Sequence, residues 1–308
     1  MDFKKVTMQG FKIIGHRGWG PTDNGHADIS YPENTLLAFD HAVSEGADGI
    51  EFDILLSKDK IPVVIHDRHL YRHVIPEEIN IVAGRFVADF TFDELKKFHL
   101  GQGQSIPSLE ELMDFIQAKY PEALLNMDVK DPELVSPLSK IIADRPRENI
   151  IISSYDWDLL RQFRHHDNDL KLVPAIKSAL LFGADNIEPH NFMPLTDKYL
   201  PEAKEDIFAI QRELGAIALD CAVTDLKMPL IEWAAECNVG LQVSTSNDRV
   251  GANETNYELL RMLHGAAQEK LPFVICKVDE PGPVKSNLAR YLESSGNTRN
   301  PVRAFNFY

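Results

Sequence analysis

The chain has 308 residues, 44% of them hydrophobic and 26% charged, with a formal net charge of -15 at pH 7. That balance belongs to a folded globular protein able to bury a sizeable core, and it excludes a disordered chain. The acidic charge also excludes the clustered Lys and Arg footprint that a nucleic-acid backbone demands, so any phosphate is met locally, by a cation or by a few basic side chains.

The first apolar run, Phe11 to Gly15, predicts a strand that ends directly in His16-Arg17-Gly18. Pro32-Glu33-Asn34-Thr35 then precedes LLAFDHAVSEG, where Asn34 or Thr35 can accept the orphan amides of a first helical turn. Gly49 to Leu56 predicts a second strand carrying Glu51 and Asp53, and IPVVIH leads to His66 and Asp67. Residues from about 66 to 103 do not fit a minimal strand–helix repeat. They are expected to form a small insertion after the second strand, with Thr91 capping a short helix.

Ser108 and Glu111 make a capping box ahead of ELMDFIQAKY. Further strands are predicted at Ala123 to Val129, Asn149 to Ser153, Lys171 to Ile176, Ala216 to Asp220, Gly240 to Ser244 and Phe273 to Cys276, with helices starting at Asp156, Thr224 and Asn256. Lys177 to Pro194 reads as a long loop.

Eight strand–helix pairs predict an α/β fold, a closed (β/α)8 TIM barrel forming one domain over residues 1–308. Periodicity alone leaves an open doubly wound sheet as the alternative. Cys221, Cys237 and Cys276 lack CxxC spacing, which argues against a disulfide framework or a zinc site. No run approaches ~18 apolar residues, so no membrane span is expected. The start has too short an apolar stretch for a signal peptide, and the protein is expected in the cytoplasm. Oligomeric state is not legible.

Glu51 and Asp53 sit one residue apart on an apolar strand, so both point to the same side. Pairing with Lys or Arg is the structural alternative, but a bound cation also removes the repulsion of two buried carboxylates. Asp128, near the end of the next strand, offers a third oxygen, and Lys130 faces the same way. Oxygen donors suit Mg2+, Ca2+ or Mn2+. His16 and His66 both end strands, and two imidazoles titrating near neutrality suit general acid/base work on a small phosphodiester substrate. Arg17 offers a planar fork for phosphoryl oxygens.

Through HRG (16–18), PENT (32–35), EFD (51–53), KDKIPVVIHD (58–67), IPSLEEL (106–112) and LNMDVK (125–130), with weaker echoes at SSYD, LQVSTSND and VDEP, the chain resembles the glycerophosphodiester phosphodiesterase family. The resemblance implies a (β/α)8 barrel that uses one divalent cation, Mg2+ or Ca2+, to hydrolyse glycerophosphodiesters to glycerol 3-phosphate and an alcohol. It further implies that His16 and His66 are the catalytic acid/base pair, that Glu51, Asp53 and Asp128 are the metal ligands, and that Arg17 and Lys130 bind substrate. In the reaction it implies, the glycerol 2-hydroxyl attacks phosphorus and water opens the resulting cyclic phosphate.

The chain departs from the family pattern in four places. WGPTDNGHADISY lengthens the loop after HRG and brings Trp19 and His26 forward as substrate contacts; Asp128 stands where Glu is usual; Lys60 takes a turn position usually held by Gly; Val278 replaces a threonine. Asp128 is shared with sphingomyelinase D-type phospholipases, which keep the cyclic phosphate, so a lyase outcome is the first alternative. A barrel that binds a phosphorylated ligand without catalysis is the second.

Overall fold

The computed structural model of the chain describes residues 8–22, 30–176, 200–223, 226, 228–245 and 257–294. They fall into two compact units, one of Ile14–Ile152 with Asp279–Pro281, the other of the described parts of 1–13, 153–278 and 282–308.

The first unit opens on the end of β1 (Gly10–Gly15) and continues into α1 (Leu36–Ser44). Thr35 starts that helix, its hydroxyl accepting the Ala38 amide at 3.3 Å. Strand β2 (Gly49–Leu56) is buried along its whole length. Ile50, Phe52 and Ile54 alternate with Glu51 and Asp53, and Phe52 meets Phe39 of α1 edge to face at 5.9 Å. Each of the three apolar side chains is fully buried, which contributes on the order of 2 kcal/mol apiece.

A tight turn follows, in which Lys60 takes φ 63 where glycine would be unstrained. It returns the chain as β3 (Pro62–Val64), antiparallel to β2 with Ile54 opposite Val64. The insertion then builds a small core of its own against these strands. Leu70, Val74, Val82, Val87, Phe90 and Leu95 pack with Leu55, Val63 and Ile65 around the short helices α2 (Ile79–Val82) and α3 (Phe92–Leu95). Thr91 and Glu94 cap α3 reciprocally, as Ser108 and Glu111 do α4 (Leu109–Lys119). Strand β4 (Leu124–Val129) runs parallel to β2 with Glu51 opposite Asn126 and Asp53 opposite Asp128. Helix α5 (Val135–Ala143) leads to β5 (Ile150–Ser154).

The second unit repeats the strand–helix alternation. Asp156 caps α6 (Trp157–His166), followed by β6 (Leu172–Ile176), α7 (Leu200–Leu214), β7 (Ala218–Ala222), α8 (Met228–Cys237), β8 (Gly240–Ser244), α9 (Tyr257–Glu269), β9 (Phe273–Val278) and α10 (Pro281–Ser294). Strands β6 to β9 pair in parallel, and Lys277, Asp220 and Gln242 form a buried polar group on them.

The strand order β1-β9-β8-β7-β6-β5-β4-β2 returns to β1 through the β1–β2 pair, so eight parallel strands close as a (β/α)8 barrel with β3 added outside. The eight expected strands are all present. Strand β7 lies two residues beyond its expected span, with Ala218 opposite Gly240, the first residue of β8. The run before His66 forms the short β3, antiparallel to β2 and outside the eight parallel strands. The helix starts at Thr224 and Asn256, the loop at 177–194, His26, and residues 246–248 of the LQVSTSND echo lie outside the described residues. Among the described residues, no helix is long and apolar enough to cross a membrane.

Candidate active site

The parallel register of β2 and β4 fixes the central feature. Glu51 and Asp53 point to one side of β2, Asp128 lies level with Asp53 on β4, and each offers a carboxylate oxygen within 4.8 Å of the others. Glu51 and Asp53 are 4% and 1% exposed, so their charges are nearly stripped of water. An all-oxygen donor set of this size and charge fits a hard divalent cation.

Basic groups crowd the same carboxylates. The Lys130 ammonium donates to Asp53 at 2.7 Å and stands 3.5 Å from Asp128. Arg17 takes φ 49, a left-handed turn that directs its amide to Glu51 at 3.0 Å and brings its Nε to 3.7 Å from Asp53. Burial alone raises the Asp53 pKa, but Lys130, His66 and Arg17 together hold it well below the usual carboxylate range. For Lys130 the opposition is reversed: burial disfavours the ammonium, and Asp53 and Asp128 outweigh it and raise its pKa.

The two histidines border this group from different strands. His66, after β3, places Nε2 3.9 Å from Asp53 and turns Nδ1 to Asp67. His16, after β1, places Nδ1 2.9 Å from a carboxylate oxygen of Asp279, just past β9. Burial opposes the charged form of His16, yet the Asp279 hydrogen bond and the charge of Glu51 raise its pKa above 6.5. The seven residues singled out from the sequence, His16, Arg17, Glu51, Asp53, His66, Asp128 and Lys130, all lie in the first unit. Trp19, expected to reach substrate, packs on His41 at 4.1 Å between ring centres, with Tyr31 5.9 Å away.

Five further residues organise the site without having been assigned a part in it. Asn34, at φ 57, donates its side-chain amide to Asp53 at 3.1 Å. Glu33 accepts from Arg17 at 3.2 Å and from both terminal nitrogens of Arg72 at 2.7 and 2.9 Å. Asp67 faces His66 with one oxygen and takes the Arg72 Nε at 2.7 Å with the other. Glu33 and Asn34 belong to PENT, and Asp67 adjoins His66, so their neighbourhood was marked. Asp279 was findable by the rule that singled out His16, a polar residue directly after a strand. Arg72 carries no comparable signal in the sequence.

A model of the glycerophosphoryl diester phosphodiesterase family matches residues 25–273. A glycerophosphodiester phosphodiesterase of Caldanaerobacter subterraneus subsp. tengcongensis is 35% identical over 190 residues, 58% of this chain and 69% of that protein. One of Bacillus altitudinis is 31% identical over 183 residues, 55% of this chain and 66% of that one, so the match spans about two thirds of these relatives. Among solved structures, a Thermotoga maritima glycerophosphodiester phosphodiesterase matches with TM-score 0.60 and 23% identity over 91% of this chain and 99% of that one. An Oleispira antarctica phosphodiesterase, solved with its product sn-glycerol-3-phosphate, matches with TM-score 0.63 and 18% identity over 90% and 96%. At these identities the structures share the barrel fold.

Proposed function

This chain belongs to the glycerophosphoryl diester phosphodiesterase family, and on that footing we propose that it hydrolyses glycerophosphodiesters to glycerol 3-phosphate and an alcohol with one divalent cation, Mg2+ or Ca2+. The reading is carried by one observation: three carboxylate oxygens within 4.8 Å, on adjacent strands, with an imidazole and two cationic side chains within 4 Å of the same Asp53.

Glu51, Asp53 and Asp128 would hold the cation. Once bound, it supplies positive charge to the phosphoryl oxygens and sharpens an oxygen nucleophile. Arg17 and Lys130 add fixed positive charge at the same place, which favours the more negative transition state. His16 and His66 divide the proton work, one imidazole taking the proton of the attacking hydroxyl while the other gives a proton to the departing alcohol. Asp279 and Asp67 each face a ring Nδ1, which leaves the Nε2 of each ring for that exchange.

The test is a screen of glycerophosphodiesters with choline, ethanolamine, glycerol and sugar alcohols, run with Mg2+, Ca2+, Mn2+ or EDTA and read as glycerol 3-phosphate released. Activity indifferent to EDTA overturns the metal assignment. A cyclic phosphate that accumulates without opening, seen by phosphorus NMR, replaces hydrolysis with the lyase outcome.

A further inference from the structure

Arg72 lies in the insertion, outside every strand end of the barrel, yet its guanidinium uses all three nitrogens on the site's supporting carboxylates. Nε donates to Asp67 at 2.7 Å, and the two terminal nitrogens donate to Glu33 at 2.7 and 2.9 Å. The other Asp67 oxygen faces His66 Nδ1, and Glu33 is also the acceptor for Arg17 at 3.2 Å. One planar cation therefore joins the imidazole bordering Asp53 to the guanidinium bordering Asp53.

The same group reaches the loop after HRG. Arg72 donates to the Thr22 carbonyl at 3.0 Å, and Thr22 and Glu33 exchange hydrogen bonds through the Thr22 hydroxyl and amide. His73 stands beside the network, 3.4 Å from Asp67 and 3.8 Å from Glu33. The geometry is that of Arg rather than Lys, because only a forked, planar donor can serve two carboxylates on two edges at once. Burial disfavours its charge, but Glu33 and Asp67 more than compensate and raise its pKa.

We propose that Arg72 is a positioning residue, through which the insertion fixes the ring of His66 by way of Asp67 and the fork of Arg17 by way of Glu33. The proposal rests on the phosphodiesterase reading for its consequence but not for its geometry. The insertion is anchored by its own core, and Leu70, fully buried in that core, lies two residues before Arg72. Holding a proton-transfer group in line is worth part of the ~10^2 to 10^4 that such groups contribute, so misplacing it lowers turnover more than binding.

The experiment uses the full chain with Arg72→Gln and Arg72→Lys, the latter keeping a charge beside Glu33 without the fork. Both are expected to lower kcat by about 100-fold on the best diester found, with KM changed by less than about threefold. Asp67→Asn combined with Arg72→Lys is expected to lose clearly less than the product of the two single losses, since the two changes share the Asp67 branch and only the Glu33 branch is separate; losses that multiply in full overturn the proposal. Nitrogen NMR of histidine-labelled, metal-free protein gives a second readout that a merely structural role does not move. In the wild type the His66 proton is expected on Nδ1, and in either variant it is expected to distribute over both nitrogens.

Unchanged kcat, or an unchanged His66 tautomer, overturns the proposal. Should Arg72→Gln fail to fold, Arg72→Lys decides alone. A wild type inactive on every diester, with the tautomer still dependent on Arg72, sinks the phosphodiesterase reading and leaves the positioning role standing.

Discussion

Asp279 reaches across 263 positions of sequence to hold His16, with 2.9 Å between its carboxylate oxygen and the imidazole Nδ1. A carboxylate can only accept, so the ring's Nδ1 carries the proton and the pair favours the imidazolium. Replacing Asp279 by Asn leaves the shape but removes the charge. Burial then prevails, and the His16 pKa, now raised above 6.5, is expected to fall. A group raised in the folded state stabilises it below the unfolded pKa and loses that contribution as pH climbs through the folded value. Asp279→Asn is thus expected to be less stable than wild type near pH 6 and to converge with it at higher pH, with kcat down by about 10- to 100-fold. Imidazole NMR titration and urea unfolding check this, and a His16 titration that does not move refutes it.

Metal binding is open to a test that needs no substrate. If Glu51, Asp53 and Asp128 hold the cation, Mg2+ or Ca2+ at about 100 times its Kd stabilises the fold by about 2.7 kcal/mol, and EDTA reverses the gain. Glu51→Gln and Asp128→Asn are expected to abolish the metal-dependent rise in thermal midpoint. Asp53→Asn is a poorer choice, because Asp53 also receives Lys130 at 2.7 Å and Asn34 at 3.1 Å and its change disturbs more than the cation. A midpoint in Asp128→Asn that still rises with metal as in wild type removes Asp128 from the ligand set.

The central carboxylates were legible because strand periodicity is short-ranged: Glu51 and Asp53 share a side of any strand that contains both. The sequence put Asp128 near the end of another strand, and its level placement beside Asp53 comes from the register of β2 and β4. Thr35, Thr91, Ser108 and Asp156 start helices where the cap chemistry put them. What was not legible depends on distant pairing. Nothing near Arg72 says that it turns toward Glu33, 39 positions earlier, and nothing near Asp279 says that its partner is His16.

Glu33 makes the site's supporting network sensitive to acid. Burial raises its pKa, but the Arg72 hydrogen bonds and the charges of Arg17 and His73 outweigh that and hold it down at about 2. A carboxylate lowered in this way stabilises the fold above its unfolded pKa, near 4.5, and the contribution is lost as pH falls from there through about 2. The shift from 4.5 to about 2 corresponds to a contribution on the order of 3 kcal/mol at neutral pH. Glu33→Gln is expected to cost about 3 to 5 kcal/mol at pH 7, since it leaves the buried Arg17 and the partly buried Arg72 short of an anion, and to show a shallower decline in stability between pH 4.5 and pH 2. Equal slopes for the two proteins in urea unfolding across that range rule out this account.

Gly49 tests whether the carboxylate geometry depends on the spacing of β2 and β4. A Cβ there falls 2.2 Å from the Leu124 carbonyl oxygen and 2.6 Å from the Leu124 amide nitrogen, both backbone atoms that cannot rotate away. Gly49 pairs with Leu124, and the same ladder two and four residues on sets Glu51 against Asn126 and Asp53 against Asp128. Gly49→Ala must therefore pry the strands apart at the rung that leads to the site, costing about 1 to 3 kcal/mol or more. Gly46 is the control: it has φ +101 but nothing within 4 Å of an added Cβ, so Gly46→Ala strains the backbone after α1 without pushing on β4. Both variants are expected to lower the thermal midpoint, and Gly49→Ala alone to weaken Mg2+ or Ca2+ binding measured by calorimetry. Wild-type metal affinity in Gly49→Ala means that the carboxylates do not take their positions from this rung of the ladder.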